Sequence, residues 1–262
     1  MKHFDNDRNE LYNRIKKMRF ILNVSTSPKD FDETLYVGKA LENVYISIGV
    51  HPHDALKASN EFKDYLDKMK NIVKQYRKVI SIGEIGLDYY RNLSPVDIQK
   101  KVFAEQLMLA NELKLPVVIH IREAHEETYE ILKSIGAEFG GIIHAFSGDE
   151  MWAKKFVKLG FKLGVGGPLT YLKNDLLRRV VKIIGLENIL TETDCPYLPP
   201  QAYRGKRSEP TYVYFVMEEL ARIFNTEFED IYRNMLKNLN SVFNGVIKSD
   251  EITHLFGAGV ND

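Results

Sequence analysis

Six side chains able to do chemistry stand at one kind of place in this chain. His51 and His53 follow the apolar run 44–50, and Glu84 ends the run 79–84. His120 ends 116–120, His144 ends 141–144, and Asp194 follows 188–193. A lone histidine after an apolar run is ordinarily a hydrogen-bonded structural residue, and a lone Glu or Asp there is ordinarily a cap. The joint pattern says more, because four of the seven histidines share it. Several imidazoles and carboxylates gathered in one place are costly to desolvate unless a cation neutralises and coordinates them. Nitrogen and oxygen donors of this kind suit divalent ions, up to two per subunit, with Mg²⁺, Mn²⁺ and Zn²⁺ all open.

The elements that must position these residues alternate in type. Runs 20–24, 44–50, 79–84, 116–120, 141–144, 161–165 and 188–193 are short and apolar, as for parallel strands buried on both faces. Between them lie stretches of helical spacing. Phe62, Tyr65, Leu66, Met69, Ile72, Val73 and Tyr76 form one stripe, and Leu176, Leu177, Val180, Val181 and Ile184 another. Ser94 is expected as an N-cap with Pro95 opening the helix, and Thr226 with Glu229 as a capping box for a last helix to about Phe243. Trp152 and Phe156 are expected to pack a helix on the sheet. Strand then helix, repeated, implies a TIM-like (β/α)8 barrel of the α/β class, whose catalytic groups sit at the C-terminal ends of the strands. Seven strands are visible and eight are required. The chain opens instead on an amphipathic helix (Leu11, Ile15, Met18), so the first strand is the one missing. An open doubly wound sheet is the competing architecture, without a glycine-rich phosphate loop to support it. One domain is expected over 1–262, with the barrel at about 1–245 and a C-terminal tail at 246–262.

Composition narrows the function. Lys plus Arg number 36, as do Asp plus Glu, so a zero net charge gives no support to whole-surface nucleic-acid binding. Cys195 is the single cysteine, which rules out an intrachain disulfide and fits a reducing compartment. Residues 1–10 are polar and acidic and no run is long enough to span a bilayer, so a cytoplasmic location is expected, with no membrane and no obligate protein partner.

Longer motifs extend the pattern. They are Gly49-Val50-His51-Pro52-His53, Gly83-Glu84-Ile85-Gly86-Leu87-Asp88 and His120-Ile121-Arg122, followed by His144-Ala145-Phe146-Ser147-Gly148 and Gly166-Gly167-Pro168. Glu192-Thr193-Asp194-Cys195-Pro196 and Arg204-Gly205-Lys206-Arg207-Ser208-Glu209-Pro210 complete the series. In this order the chain resembles the TatD family of metal-dependent deoxyribonucleases, among the amidohydrolase-like barrels. The resemblance implies a two-metal site. It makes Glu84 a carboxylate bridging both ions, His120 and His144 ligands of one ion, and Asp194 a ligand of the other and a base for the attacking water; Glu84 and Asp194 are thus the catalytic pair. The sequence departs from the family at the front, where a strand carrying His-x-His is usual. Two readings stay open: an internal methionine taken as the start, which is favoured, or a protein lacking half of one metal site. His3 lies in no strand and is not expected to substitute.

The remaining motif residues face the substrate question. His53, Arg122, Arg204 and Lys206 are candidate substrate contacts, with Arg207 beside them; solvated or salt-bridged loop positions are the alternative. Cys195 is expected to be packed rather than reactive. The leading function is hydrolysis of DNA phosphodiesters, in single strands or at frayed ends, with a metal-activated water. Hydrolysis of amide or aminoacyl-ester bonds on the same site is the second reading, and a metal-depleted, non-catalytic binding protein the third.

Overall fold

The computed structural model describes residues 4–243. The tail expected at 246–262 and His3 lie outside the described residues. Seven parallel strands form one curled sheet in chain order: β1 (Ile21–Val24), β2 (Val44–Ile48), β3 (Val79–Asp88), β4 (Val117–Arg122), β5 (Gly141–Ile143), β6 (Phe161–Val165) and β7 (Ile189–Thr191). Every neighbouring pair is parallel. This is the TIM-like barrel expected, with seven strands; among the described residues no ladder joins β7 back to β1.

Helices cross over between the strands and seal the sheet's outer face. They are α1 (Arg8–Ile15), α2 (Phe31–Ala40), α3 (Ala55–Ser59), α4 (Phe62–Gln75), α5 (Val96–Leu113), α6 (His125–Ile135), α7 (Glu150–Lys158), α8 (Asp175–Ile184), α9 (Val213–Phe224) and α10 (Phe228–Phe243). Local chemistry sets their limits. The Asp149 carboxylate caps α7 by accepting from the Trp152 N–H, and Asn174 caps α8 through Leu177. Trp152 and Phe156 pack α7 as expected, with Phe156 fully buried. Ser94 does not cap α5: its hydroxyl accepts from the Leu56 N–H and donates to the His53 carbonyl, tying the loops after β2 and β3 together. Thr226 turns its hydroxyl to Asp230. Leu176 leaves the buried stripe of α8 and stands 40 % exposed.

Two devices span the side between β7 and β1. Below, Val242 and Phe243 at the end of α10 pack with Ile142 of β5 and Leu190 of β7, against Leu22 of β1 and Ile80 of β3. These are inward positions on alternate strands, the layering of a barrel interior. Phe20 stacks on Tyr45 and meets Phe243 at 5.6 Å between ring centroids. Above, Arg14 grips Glu209 with two hydrogen bonds of 3.0 Å, and Arg207 binds both Asp7 and Glu209. This network ties α1 to the loop after β7. No helix among the described residues is long and apolar enough to cross a membrane.

Candidate metal centre

β3 runs on past Glu84 to Asp88, and its register against β4 shifts between Ile82 and Ile85. A bulge of this kind re-aims the side chains it carries. Here it holds Glu84 among the imidazoles while the strand continues, and Gly86 (φ 137°) lets the His120 carbonyl approach where a side chain would stand. Glu84 Oε1 lies 3.0 Å from His120 Nδ1 and 3.7 Å from His51 Nε2. Burial alone would raise the Glu84 carboxyl; the His144, His51 and His120 imidazoles outweigh it and hold it far below the usual range.

His120 and His144 are each held from behind by a carboxylate. His120 Nε2 meets Asp88 Oδ2 at 3.0 Å, leaving Nδ1 toward Glu84. His144 Nδ1 meets Glu192 Oε2 at 2.9 Å, leaving Nε2 toward Asp194 Oδ1 at 3.5 Å. A carboxylate on one ring nitrogen fixes the tautomer and frees the other nitrogen for a metal. Burial opposes protonation of His120, but Asp88 and Glu84 prevail and lift it to about 9. The same contest lifts His144 well above the ordinary histidine value through Glu192, Glu84 and Asp194.

Both supporting carboxylates are themselves anchored. Asp88 is fully buried, accepts the Arg91 N–H and takes His53 Nε2 at 2.8 Å as well. The Gln99 side chain holds the Asp88 backbone on both sides. Burial would raise the Asp88 carboxyl, and bonds to His120, the Arg91 amide and His53 bring it far below the usual range. Glu192 also accepts the Ala145 N–H at 2.6 Å, and its carboxylate fills the place that a side chain at Gly164 would need. Neither Asp88 nor Glu192 is singled out by the sequence pattern.

His51, Glu84 and His120 bring ligand atoms within 4.8 Å of one another, a spacing that one ion can bridge. The tautomer argues for a different job for His51. Its Nδ1 accepts the His53 N–H at 3.2 Å, so in the neutral ring the proton sits on Nε2 and faces Glu84. Burial lowers His51 to about 4, against Glu84, which keeps it neutral near pH 7. His51 thus turns an N–H toward Glu84 at a distance longer than a hydrogen bond, as an electrostatic neighbour. The groups with a lone pair or charge turned inward are Glu84, His120 Nδ1, His144 Nε2 and Asp194. This donor set suits a divalent cation.

The substrate candidates take three courses. His53 is drawn into the site through Asp88. Arg122 and Arg204 lie over tyrosine rings, Tyr90 at 4.0 Å and Tyr171 at 4.5 Å, and Lys206 lies 5.7 Å from the Tyr203 ring. Arg207 belongs to the ion-pair network that joins α1 to its loop. Cys195 is packed, and burial pushes its thiol up, away from the reactive thiolate.

Comparison with known proteins identifies relatives of this chain. Residues 1–244 match the model of the TatD related DNase family. The chain is 38% identical over 243 residues to YabD, an uncharacterized metal-dependent hydrolase of Bacillus subtilis, covering 92% of this chain and 94% of that protein. It is 32% identical over 227 residues to the 3'-5' ssDNA/RNA exonuclease TatD of Cronobacter sakazakii, covering 84% and 85%. The crystal structure of YjjV, a TatD homologue of Escherichia coli, superposes with a TM-score of 0.86 at 29% identity, covering 93% of this chain and 94% of that one.

Proposed function

The chain belongs to the TatD related DNase family, a family of metal-dependent hydrolases, and within it we propose that this protein hydrolyses phosphodiester bonds in single-stranded or frayed DNA. The observation that carries the proposal is the arrangement around Glu84: a largely shielded carboxylate beside His120 and His144, each imidazole backed by a further carboxylate. In this reading Glu84, His120, His144 and Asp194 hold one or two divalent ions. A bound ion would supply polarisation of a phosphoryl oxygen and a lower pKa for nearby water.

The chain's own groups do the rest. Asp194 is 40 % exposed and close to His144, so it can reach a water at the mouth and accept its proton. His51 turns its Nε2–H toward Glu84 from 3.7 Å and favours that carboxylate's charged form. Arg122 and Arg204, flattened on Tyr90 and Tyr171, present guanidinium groups to phosphates while the rings offer faces on which bases stack. Local cations of this kind are needed in a chain whose net charge is zero. The name of the Cronobacter relative supports a single-stranded substrate. We place the activity in the cytoplasm, in keeping with the lone cysteine.

The test is hydrolysis of end-labelled single-stranded and duplex oligonucleotides with Mg²⁺, Mn²⁺ or Zn²⁺, run beside aminoacyl-ester and amide substrates. Ladders from the single strand, with the esters and amides untouched, are expected. Hydrolysis of the esters or amides with intact DNA would overturn the phosphodiester reading.

A further inference from the structure

A recess of about 190 Å³ opens beside Asp194 and Glu192, at the edge of the candidate metal centre. It is smaller than the roughly 300–1,000 Å³ of sites for drug-sized ligands, and so suits a single ring system. Phe146, Pro168, Leu176, Leu177 and Leu198 supply apolar wall. No lysine or arginine is among its lining residues, and two carboxylates flank it. The lining itself therefore offers a phosphate no cationic side chain, while an uncharged flat group gains by leaving water.

We propose that this recess is a subsite for one uncharged planar ring, the nucleobase next to the bond that is cut. The inference rests on the phosphodiester reading and adds what lies beside the scissile phosphate. Two features show that the recess is built in advance. Phe146 is backed by His125, which stacks on Trp152, so that wall is rigid. Ala145 and Leu198 line the recess with φ of 45° and 46°, a left-handed backbone that costs a residue with a side chain. Leu176 and Leu198, 40 % and 41 % exposed, form the rim where a ring would slide in. Ser147, also on the lining, offers a hydroxyl to a ring edge.

The test is equilibrium dialysis of the Mn²⁺-loaded full chain against deoxyadenosine monophosphate and deoxyribose 5-phosphate, which differ by the base alone. The base is expected to tighten binding by about tenfold, within the range that burial of one ring provides. In the Leu176→Phe/Leu198→Phe variant, whose changes lie at an exposed rim, that advantage should shrink below about twofold. Equal binding of the two ligands to the unaltered chain, or an advantage that survives filling the rim, would overturn the subsite. A second arm separates this from the parent reading by offering single strands with and without bases on their end nucleotides. A retained base advantage with no strand cut under any metal would sink the phosphodiester reading and leave the subsite standing. Equal cutting of both strands with equal binding would do the reverse.

Discussion

From β2 to β4 the mouth of the barrel is built on backbone ladders; from β7 round to β1 it is built on side chains. On the first side, β3 and β4 resume pairing after the bulge and run on to Asp88 and Arg122, so Glu84, Asp88 and His120 stand on paired strands, with His120 hydrogen-bonded to both carboxylates. Their side chains are 12 %, 0 % and 19 % exposed. On the second side, β7 ends at Thr191, and Asp194 stands three residues into a loop with 40 % of its side chain exposed. Phe243 below and the Arg14–Glu209–Arg207–Asp7 network above hold that side together. The lesson is that order at the site follows strand pairing. In the proposed reading the paired side holds the ion and the other side admits water and substrate.

Loss of the central carboxylate on the paired side carries the largest expected effect. Glu84→Gln should lower the rate of single-strand hydrolysis by about 10²–10⁴, the span typical of groups that act on the reacting atoms. A rate within threefold of the unaltered chain would show that the paired side is not the working one.

Phe243→Ala attacks the other side from below. Removing a buried ring costs about 3–5 kcal/mol when the site cannot collapse, measured by urea unfolding; a cost under 1 kcal/mol would mean that α10 does not brace β7 against β1.

Asp88→Asn tests the carboxylate behind His120. Metal affinity, read by competition with a chelating dye, should fall about 10–100-fold, as for other groups that orient a ligand. His120 is lifted to about 9 by Asp88 and Glu84 against the effect of burial, so an ion binding there displaces a proton. Affinity should therefore rise as pH climbs toward about 9 and then level, and in Asp88→Asn it should level at lower pH. An unchanged pH profile would contradict the pairing.

The smallest effect belongs to the network above. Asp7 is held below its ordinary value by the Arg207 hydrogen bond, against a smaller effect of burial. A lowered carboxyl contributes stability that is fully present above 3.8 and fades as pH falls through the folded value. Asp7→Asn should lower the melting temperature at pH 7 by roughly one or two degrees, as for a largely solvated pair. The difference should vanish in acid; a gap that persists there would point to packing rather than charge.

Much of this was legible in the residues. The seven apolar runs became the seven strands, and β6 has the same limits in both. Element order implied the barrel, because strand–helix alternation leaves few parallel topologies. The structure brings Glu84, His120, His144 and Asp194 to the same mouth. What stayed hidden depended on contacts across strands. Ending β3 at Glu84 left Asp88 in a loop, although Ile85 and Leu87 are fully buried and the strand goes on through them. Glu192 gained its partner because Gly164, on the neighbouring strand, leaves room for its carboxylate, and a one-dimensional pattern does not carry that. The role of His51 depends on which ring nitrogen meets the His53 amide. The capping role expected of Ser94 failed because two tertiary partners in the segment after β2, the Leu56 N–H and the His53 carbonyl, outcompeted the local helix end.

The most direct test of the division between the two sides is a Mn²⁺ titration of metal-free protein, following free ion by electron paramagnetic resonance, in the unaltered chain, Glu84→Gln and Asp194→Asn. The expected result is a tight ion that disappears in Glu84→Gln and survives in Asp194→Asn with affinity changed by less than about tenfold, because the paired side supplies most of its ligands. Loss of the tight ion in Asp194→Asn with its retention in Glu84→Gln would contradict the division.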